Sequence, residues 1–391
     1  MNQPLSEIKV IDVTSVMAGP YCTMLLGDMG ENVIKIEPPA GDMIRKSPPH
    51  VGGESTYYLY ANRNKRGMTL NLQTIEGRQV LLELVKDADV FVENYRPQTK
   101  TRLGIDYSVM QEINPKLIYC SISGFGQTGP WAERPGFDQI AQGMSGLMSV
   151  TGFADPTRVG VAIGDSVASL FATYGILCAL IEREKSGRGQ FLETSLLEGL
   201  IAVLGFQAAK YFGTGERPLA QGNDHASFSP YGTYKTKDGY INIAAATERM
   251  WEKLCGFLEI NELIDDPRFN TMTSRVENKD ELREIMETRL SQSGSDEWIE
   301  TLNRGGIACG PIYFIDQVFN DDHVMERKML LEIGHSVVGK VATIGFPVKM
   351  VRTPCEITYP PPVLGQHTLE ILKGIHYTEE QIGELKRKGI V

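Results

Sequence analysis

Met68-Thr-Leu-Asn-Leu72, the stretch 77–85 and Asp89-Val-Phe-Val92 decide the fold: a short apolar run, an amphipathic segment and a second apolar run. Val80, Leu81, Leu84 and Val85 share one face of a helix, and Thr74 stands where its cap belongs. A strand, a helix and a strand at that spacing make a parallel crossover. Working outward, β-branched runs recur at 8–13, 32–36 and 117–122. A second helix is expected over 106–114, with Asp106 as cap and Pro115 as stop. The repetition predicts a doubly wound α/β domain, a mostly parallel sheet with helices on both faces.

The chain has 391 residues, 42% apolar and 23% charged, enough to bury a core in two or three domains. That composition excludes a disordered tail, a collagen and a coiled coil. The net charge of −10 argues against a nucleic-acid partner. Six dispersed cysteines without a CxxC pair read as reduced thiols, hence a cytoplasmic location. The first eight residues do not read as a targeting signal, and the most apolar stretch, 199–209, is too short for a bilayer. No membrane partner is expected.

Further along, Val167, Leu170, Phe171, Tyr174, Leu177 and Ile181 recur at helical spacing. A turn at 186–189, a strand at 190–192 and a helix over 196–211 follow. Composition changes at 214–229, a Gly-rich polar stretch that reads as a linker or long functional loop. A hairpin is expected over 234–245, helices at 248–257, 279–290 and 296–303, and a strand at 307–315. This is a small α+β domain over 215–325, set between a large domain at 1–214 and a return segment, 326–391.

Gly124-Phe-Gly-Gln-Thr-Gly129 matches the dinucleotide fingerprint, yet Pro130 and Pro135 interrupt the helix that the fingerprint needs. It reads as a turn-rich loop. No phosphate-loop, zincin or nucleophile-elbow motif occurs, and the six isolated histidines give no metal site. Asp165 follows Gly164 just before the 167–181 helix; it reads as an N-cap, or as a carboxylate kept ionised by the helix dipole next to a glycine that admits a ligand. Arg63, Lys65 and Arg66 form one basic cluster, and Arg96, Lys100 and Arg102 a second. Either is a solvated rim or a phosphate site; only the second follows its strand, where ligands of open sheets sit.

In order and spacing the chain resembles the family III CoA-transferases, the formyl-CoA and carnitine/bile-acid group. The resemblance runs through Asp12-Val-Thr-Ser-Val-Met-Ala-Gly-Pro20, Val33-Ile-Lys-Ile-Glu-Pro38, Asn62-Arg-Asn-Lys-Arg66 and Val92-Glu-Asn-Tyr-Arg-Pro97. It continues through Ser123–Pro130, Arg134-Pro-Gly-Phe-Asp138, Gly164-Asp165, Gly187-Arg-Gly-Gln190, Ser195-Leu-Leu-Glu198 and Pro361–Thr368. It implies an interlocked homodimer whose large Rossmann-like domain is built from both chain ends, with the small domain inserted. It implies Asp165 as catalytic nucleophile. CoA contacts carry over to Val16, Met17, Ala18, Leu70, Asn71, Leu72, Gln73, Asn94, Tyr95, Arg96 and Arg102, with Phe137 and Asp138 near the thioester. The loop from Gly222 to Gly232 is the candidate cover, with Asn223 and His225 toward substrate.

An ionised carboxylate attacks a thioester without a general base, and the anhydride and enzyme-CoA thioester that follow are both high-energy acyl groups. Coenzyme A and acyl-CoA are thus substrates, with a carboxylic acid as partner and no tightly bound cofactor. Formyl-CoA transferases carry Gln at the Met17 position, Tyr at Phe137 and a glycine run within 222–232. Their absence points away from oxalate and toward dicarboxylates or larger acids, with succinyl-CoA as candidate donor. Two alternatives remain: a 2-methylacyl-CoA racemase, which needs a proton-carrying His where this chain has Phe137, and a CoA-binding protein without catalysis.

Overall fold

The structure, a computed structural model, describes residues 3–391. It divides into two compact units. One comprises the residues up to Met148, Arg158–Gly215 and His323–Val391; the other comprises Ser149–Thr157 and Glu216–Asp322. Composition alone places residues 149–157 in the first domain; their contacts put them with the second unit.

The main sheet of the first unit has six strands: β1 (Lys9–Asp12), β2 (Asn32–Glu37), β3 (Lys65–Thr69), β4 (Val90–Glu93), β5 (Ile118–Ser123) and β6 (Phe191–Ser195). Every neighbouring pair is parallel, and the order across the sheet is β3-β2-β1-β4-β5-β6. The chain builds outward from β1 to one edge, then returns beside β1 at β4 and builds the other half. An open α/β sheet leaves its ligand crevice at the carboxyl ends of the strands at that reversal. The expected strand at 68–72 lies three residues earlier, because the charged Lys65 and Arg66 belong to it.

Among the helices that accompany these strands are α1 (Ala18–Asp28), α2 (Ile75–Lys86), α3 (Pro97–Leu103), α4 (Tyr107–Ile113), α5 (Asp138–Met144), α6 (Ile163–Ser186), α7 (Leu196–Ala202) and α8 (Gly205–Thr214). Thr74 caps α2 by accepting the Gly77 N–H at 3.0 Å. Asp106 precedes α4 as expected, but its carboxylate accepts from Thr101 at 2.9 Å and leaves the helix uncapped. The single helix expected over 196–211 is two, with Gly205 at φ 48° opening the second. The Gly124–Gly129 segment is a loop that reaches no helix before Asp138.

α1 and α6 cover one face of the sheet, burying Cys22, Leu26, Ala168, Ala172 and Ile176 on Val10, Val90, Val92 and Ile118. α6 uses its small residues for this, since close approach to α1 leaves no room for large ones. Its larger side chains Leu170, Phe171, Tyr174 and Ile181, which carry the helical periodicity of the sequence, are exposed. By length and composition α6 is also apolar enough to cross a membrane.

The second unit is a three-stranded antiparallel sheet of β7 (Tyr231–Lys235), β8 (Tyr240–Ala244) and β9 (Ala308–Pro311), with β8 central. Helices α9 (Glu248–Leu258), α10 (Lys279–Leu290) and α11 (Ser295–Arg304) pack on it around Trp251, Leu254, Phe269, Met286 and Leu302. The chain then re-enters the first unit through the hairpin β10 (Leu330–His335) and β11 (Gly339–Ile344) and helices α12 (Thr368–Gly374) and α13 (Glu379–Arg387). Ile371, Leu372, Ile382 and Leu385 join α2 on the other face of the sheet. Asn71 N–H donates to the Ile390 carbonyl at 2.7 Å, which ties the C-terminal residues to the segment after β3.

Candidate active site

A cleft of about 430 Å³ opens at the carboxyl ends of β1 and β4, where the strand order reverses. Its walls include Val16, Met17, Ala18, Asn94, Tyr95, Arg96, Phe137 and Asp165. Residues as far apart as Val16 and Asp165 thus meet where the sheet topology requires a crevice: the loop after β1, the loop after β4 and the start of α6.

The loop after β1 is held by buried charge. Asp12, fully buried, accepts the Thr14 N–H at 2.9 Å, the Thr23 hydroxyl at 2.6 Å and the Lys65 ammonium at 3.0 Å. Lys65 also donates to the Pro20 carbonyl at 2.8 Å and to Asn62 at 2.9 Å. Lys35 donates to the Thr14 carbonyl at 3.0 Å and pairs with Asp42 at 3.4 Å. Asp42 in turn accepts the Val16 N–H at 3.2 Å. Burial alone would push the Asp12 carboxyl up; the Lys65 and Lys35 ammonium groups, with the two threonine hydroxyls, outweigh it and hold Asp12 far below the ordinary carboxylate range. Val16 has φ 67°, an uncommon conformation for a β-branched residue. The network around it is what holds that conformation, and with it the shape of this wall.

Asn94 closes the other side. Its side-chain amide donates to the Ser15 carbonyl at 2.8 Å and accepts the Ser15 N–H at 3.0 Å, tying the β1 and β4 loops together. The N-terminus of α1 has no side-chain cap, and Met17 and Ala18 of that turn line the cleft. Uncapped N–H groups at a helix start suit a developing oxyanion or a phosphate. Arg96 precedes α3 and donates to the Glu133 carbonyl at 3.2 Å. On the far wall Gly124 and Gly136 cross so closely that a Cβ on either would lie 2.7 Å from the other's Cα. Only glycine pairs admit that crossing, which sets Phe137 at the rim.

Asp165 is not the helix cap. Ala162 occupies that position, and Asp165 lies in the first turn of α6, half-buried, facing the cleft. Burial and the neighbouring Asp138 carboxylate push its pKa up to about 7. Desolvation and like charge thus act against the helix dipole, which favours the ionised form. Gly164 serves a different close approach from the expected one: its N–H donates to Asp138 Oδ1 at 2.7 Å.

The remaining residues named from the sequence lie elsewhere. Leu70 and Leu72 are in the core below β3, Asn71 lies between them, exposed Gln73 follows, and exposed Arg102 is in the last turn of α3. Asp138 turns toward α6 rather than into the cleft. Lys65 and Arg63 are no solvated rim: Lys65 pairs with Asp12, and Arg63 pairs with Asp28 at 2.7 Å, both out of water. Lys100 likewise is buried against Glu93 at 3.1 Å. Asn223 and His225 line a cavity of about 600 Å³ within the second unit, with Tyr231, Asn242 and Cys309. The His225 ring lies 4.7 Å from that of Phe228 and 5.0 Å from that of Tyr231. Sequence reading missed Met43, Thr99 and Leu196 in the cleft and Asp42 behind it. Only the acidic residue in Gly41-Asp42 carried any signal, and it reads as a turn.

Residues 5–368 match the profile of CoA-transferase family III. The chain is 40% identical over 394 residues to human succinyl-CoA:glutarate CoA-transferase, covering 100% of this chain and 90% of that one. It is 37% identical to succinyl-CoA:mesaconate CoA-transferase of Haloarcula marismortui, covering 94% and 95%. The crystal structure of a CAIB/BAIF family protein from Brucella suis superposes with a TM-score of 0.85 at 36% identity, over 96% of this chain and 100% of that one. The chain belongs to the family III CoA-transferases: it is an enzyme that moves CoA between an acyl-CoA and a carboxylic acid.

Proposed function

We propose that transfer runs through a covalent relay on Asp165, with dicarboxylic acids as acyl partners. The observation that carries this reading is the position of Asp165, a half-buried carboxylate of raised pKa on the wall of the switch-point cleft. The ionised carboxylate attacks the donor thioester carbonyl; the C–S bond breaks and CoA thiolate leaves. The thiolate then attacks the Asp165 carbonyl of the anhydride, the donor acid departs, and CoA remains bound to Asp165 as a thioester. The acceptor carboxylate attacks that thioester and again displaces thiolate. Thiolate attack on the acceptor acyl carbonyl gives the new acyl-CoA and restores Asp165. Charge and atoms balance with no proton taken up or released. The Ala18 N–H, at the uncapped start of α1 on the cleft wall, is the proposed donor to the oxyanions.

Succinyl-CoA is the proposed donor, supported by the substrates in the names of both relatives. Phe137 at the position where racemases need a proton carrier disfavours isomerisation. Incubation with succinyl-CoA without an acceptor is expected to add the mass of CoA, less water, to the peptide holding Asp165. An unlabelled peptide during turnover with glutarate overturns the relay. The rate constant kcat/KM is expected to fall about tenfold per pH unit well below pH 7, because protonation removes the nucleophile.

Two copies are proposed to associate through the exposed faces of α6 and α8, where Tyr174 is 67% and Phe212 81% exposed beside Leu170, Phe171, Phe206 and Tyr211. The double variant Tyr174→Glu, Phe212→Glu is expected to halve the mass seen by light scattering; an unchanged dimer rejects this face.

A further inference from the structure

The helix that carries Asp165 is capped from outside itself. No side chain at Ala162 caps α6; Asp138 Oδ1 takes the Gly164 N–H at 2.7 Å instead. A Cβ at position 164 would lie 3.0 Å from that oxygen, so glycine leaves the room for it. Asp138 Oδ2 accepts from Gln142 Nε2 at 2.7 Å. Gln142 is fully buried, and its Oε1 accepts the Val159 N–H at 2.9 Å. One glutamine therefore ties Asp138 to the segment that leads into α6. The Arg158 guanidinium stands 3.9 Å from Asp138, nearly half exposed.

We propose that Asp138, held by Gln142, is a positioning residue for the nucleophile: it fixes the first turn of α6 and sets a second negative charge beside the Asp165 carboxylate. This rests on Asp165 as acyl carrier. Free Asp165 is opposed by that charge, whereas its acyl and CoA forms are neutral and are not. Forming the covalent bond thus relieves the repulsion, and Asp138 shifts the balance toward the covalent enzyme. Asp138 is the charged group acting on Asp165; the cations nearby are Arg158 on Asp138 itself and Arg96 elsewhere in the cleft wall.

The test compares Asp138→Asn and Asp138→Glu with the parent, reading kcat/KM against pH and the fraction of enzyme held as CoA thioester under succinyl-CoA alone. In Asp138→Asn the acid midpoint is expected to move down by about one pH unit and the thioester fraction to fall about tenfold relative to free enzyme. Asp138→Glu keeps the charge but misplaces it, so its midpoint stays near the parent's while kcat drops. An Asp138→Asn midpoint and thioester fraction equal to the parent's overturn the proposal, even if stability is lost. Should that variant not fold, Gln142→Met gives the second reading: kcat down by about tenfold or more with KM within about twofold; unchanged kcat overturns it. Asp165→Asn runs alongside. Thioester forming in that variant sinks the acyl-carrier reading itself, an outcome distinct from any of the Asp138 results.

Discussion

Asp165→Ala is expected to lower CoA transfer by at least about 10⁴-fold while the protein stays folded and still binds CoA. The size follows from the proposed relay, in which loss of the carboxylate leaves no acceptor for the acyl group. Stability should not fall. A carboxyl whose folded pKa is raised to about 7 binds more protons in the native than in the unfolded chain between about pH 4 and 7. Native stability is therefore drawn down as pH rises through that window, and the deficit persists above it. Removing the group removes the deficit. At pH 8 the melting temperature of the variant should equal or exceed that of the parent, and the melting temperatures should converge toward pH 4. Turnover within tenfold of the parent, or CoA thioester on the variant, would refute the assignment.

Asp12→Ala is expected to destabilise the first unit by about 3–5 kcal/mol, since it strands Lys65 without its counter-ion at a fully buried position. The same change removes acceptors from Thr14 and Thr23, so the strained loop at Val16 should loosen and CoA bind more weakly. The double variant Asp12→Ala, Lys65→Met should recover most of the stability, because no buried charge is left unpaired. For the parent the sign in acid is the usual one for a depressed carboxyl. The contribution of Asp12 is fully present above about pH 4 and is lost as pH falls through its lowered native value. Urea unfolding of the parent and the two variants at pH 7, and of the parent from pH 5 to 2, checks both statements. A single variant as stable as the double one would show that the pair contributes nothing.

The sheet was legible because its strands are short β-branched runs separated by turn residues, a pattern that needs no partner to be recognised. Thr74 and the helix after it were legible for the same reason: the cap and the apolar face lie within twelve residues. Asp165 was legible only through its motif. A carboxylate after glycine before a helix reads as a cap, and nothing local reveals that Ala162 holds that place and Asp138 does the capping. The basic run at 63–66 was misread because charges default to solvent; the carboxylates that neutralise Arg63 and Lys65 are 35 and 53 residues earlier.

Local patterning, at periods of two and 3.6 residues, was sufficient for the α/β class and the succession of strands that leads to a crevice after β1. It could not say which face of α6 is buried, since large apolar residues on one side and small ones on the other both satisfy the helical period. Nor could it pair Asp12 with Lys65 or Asp138 with Gly164. Those choices are made when the sheet assembles, because desolvating a charge or a helix end costs too much unless a partner arrives from another part of the chain, and only the packed arrangement determines which one does.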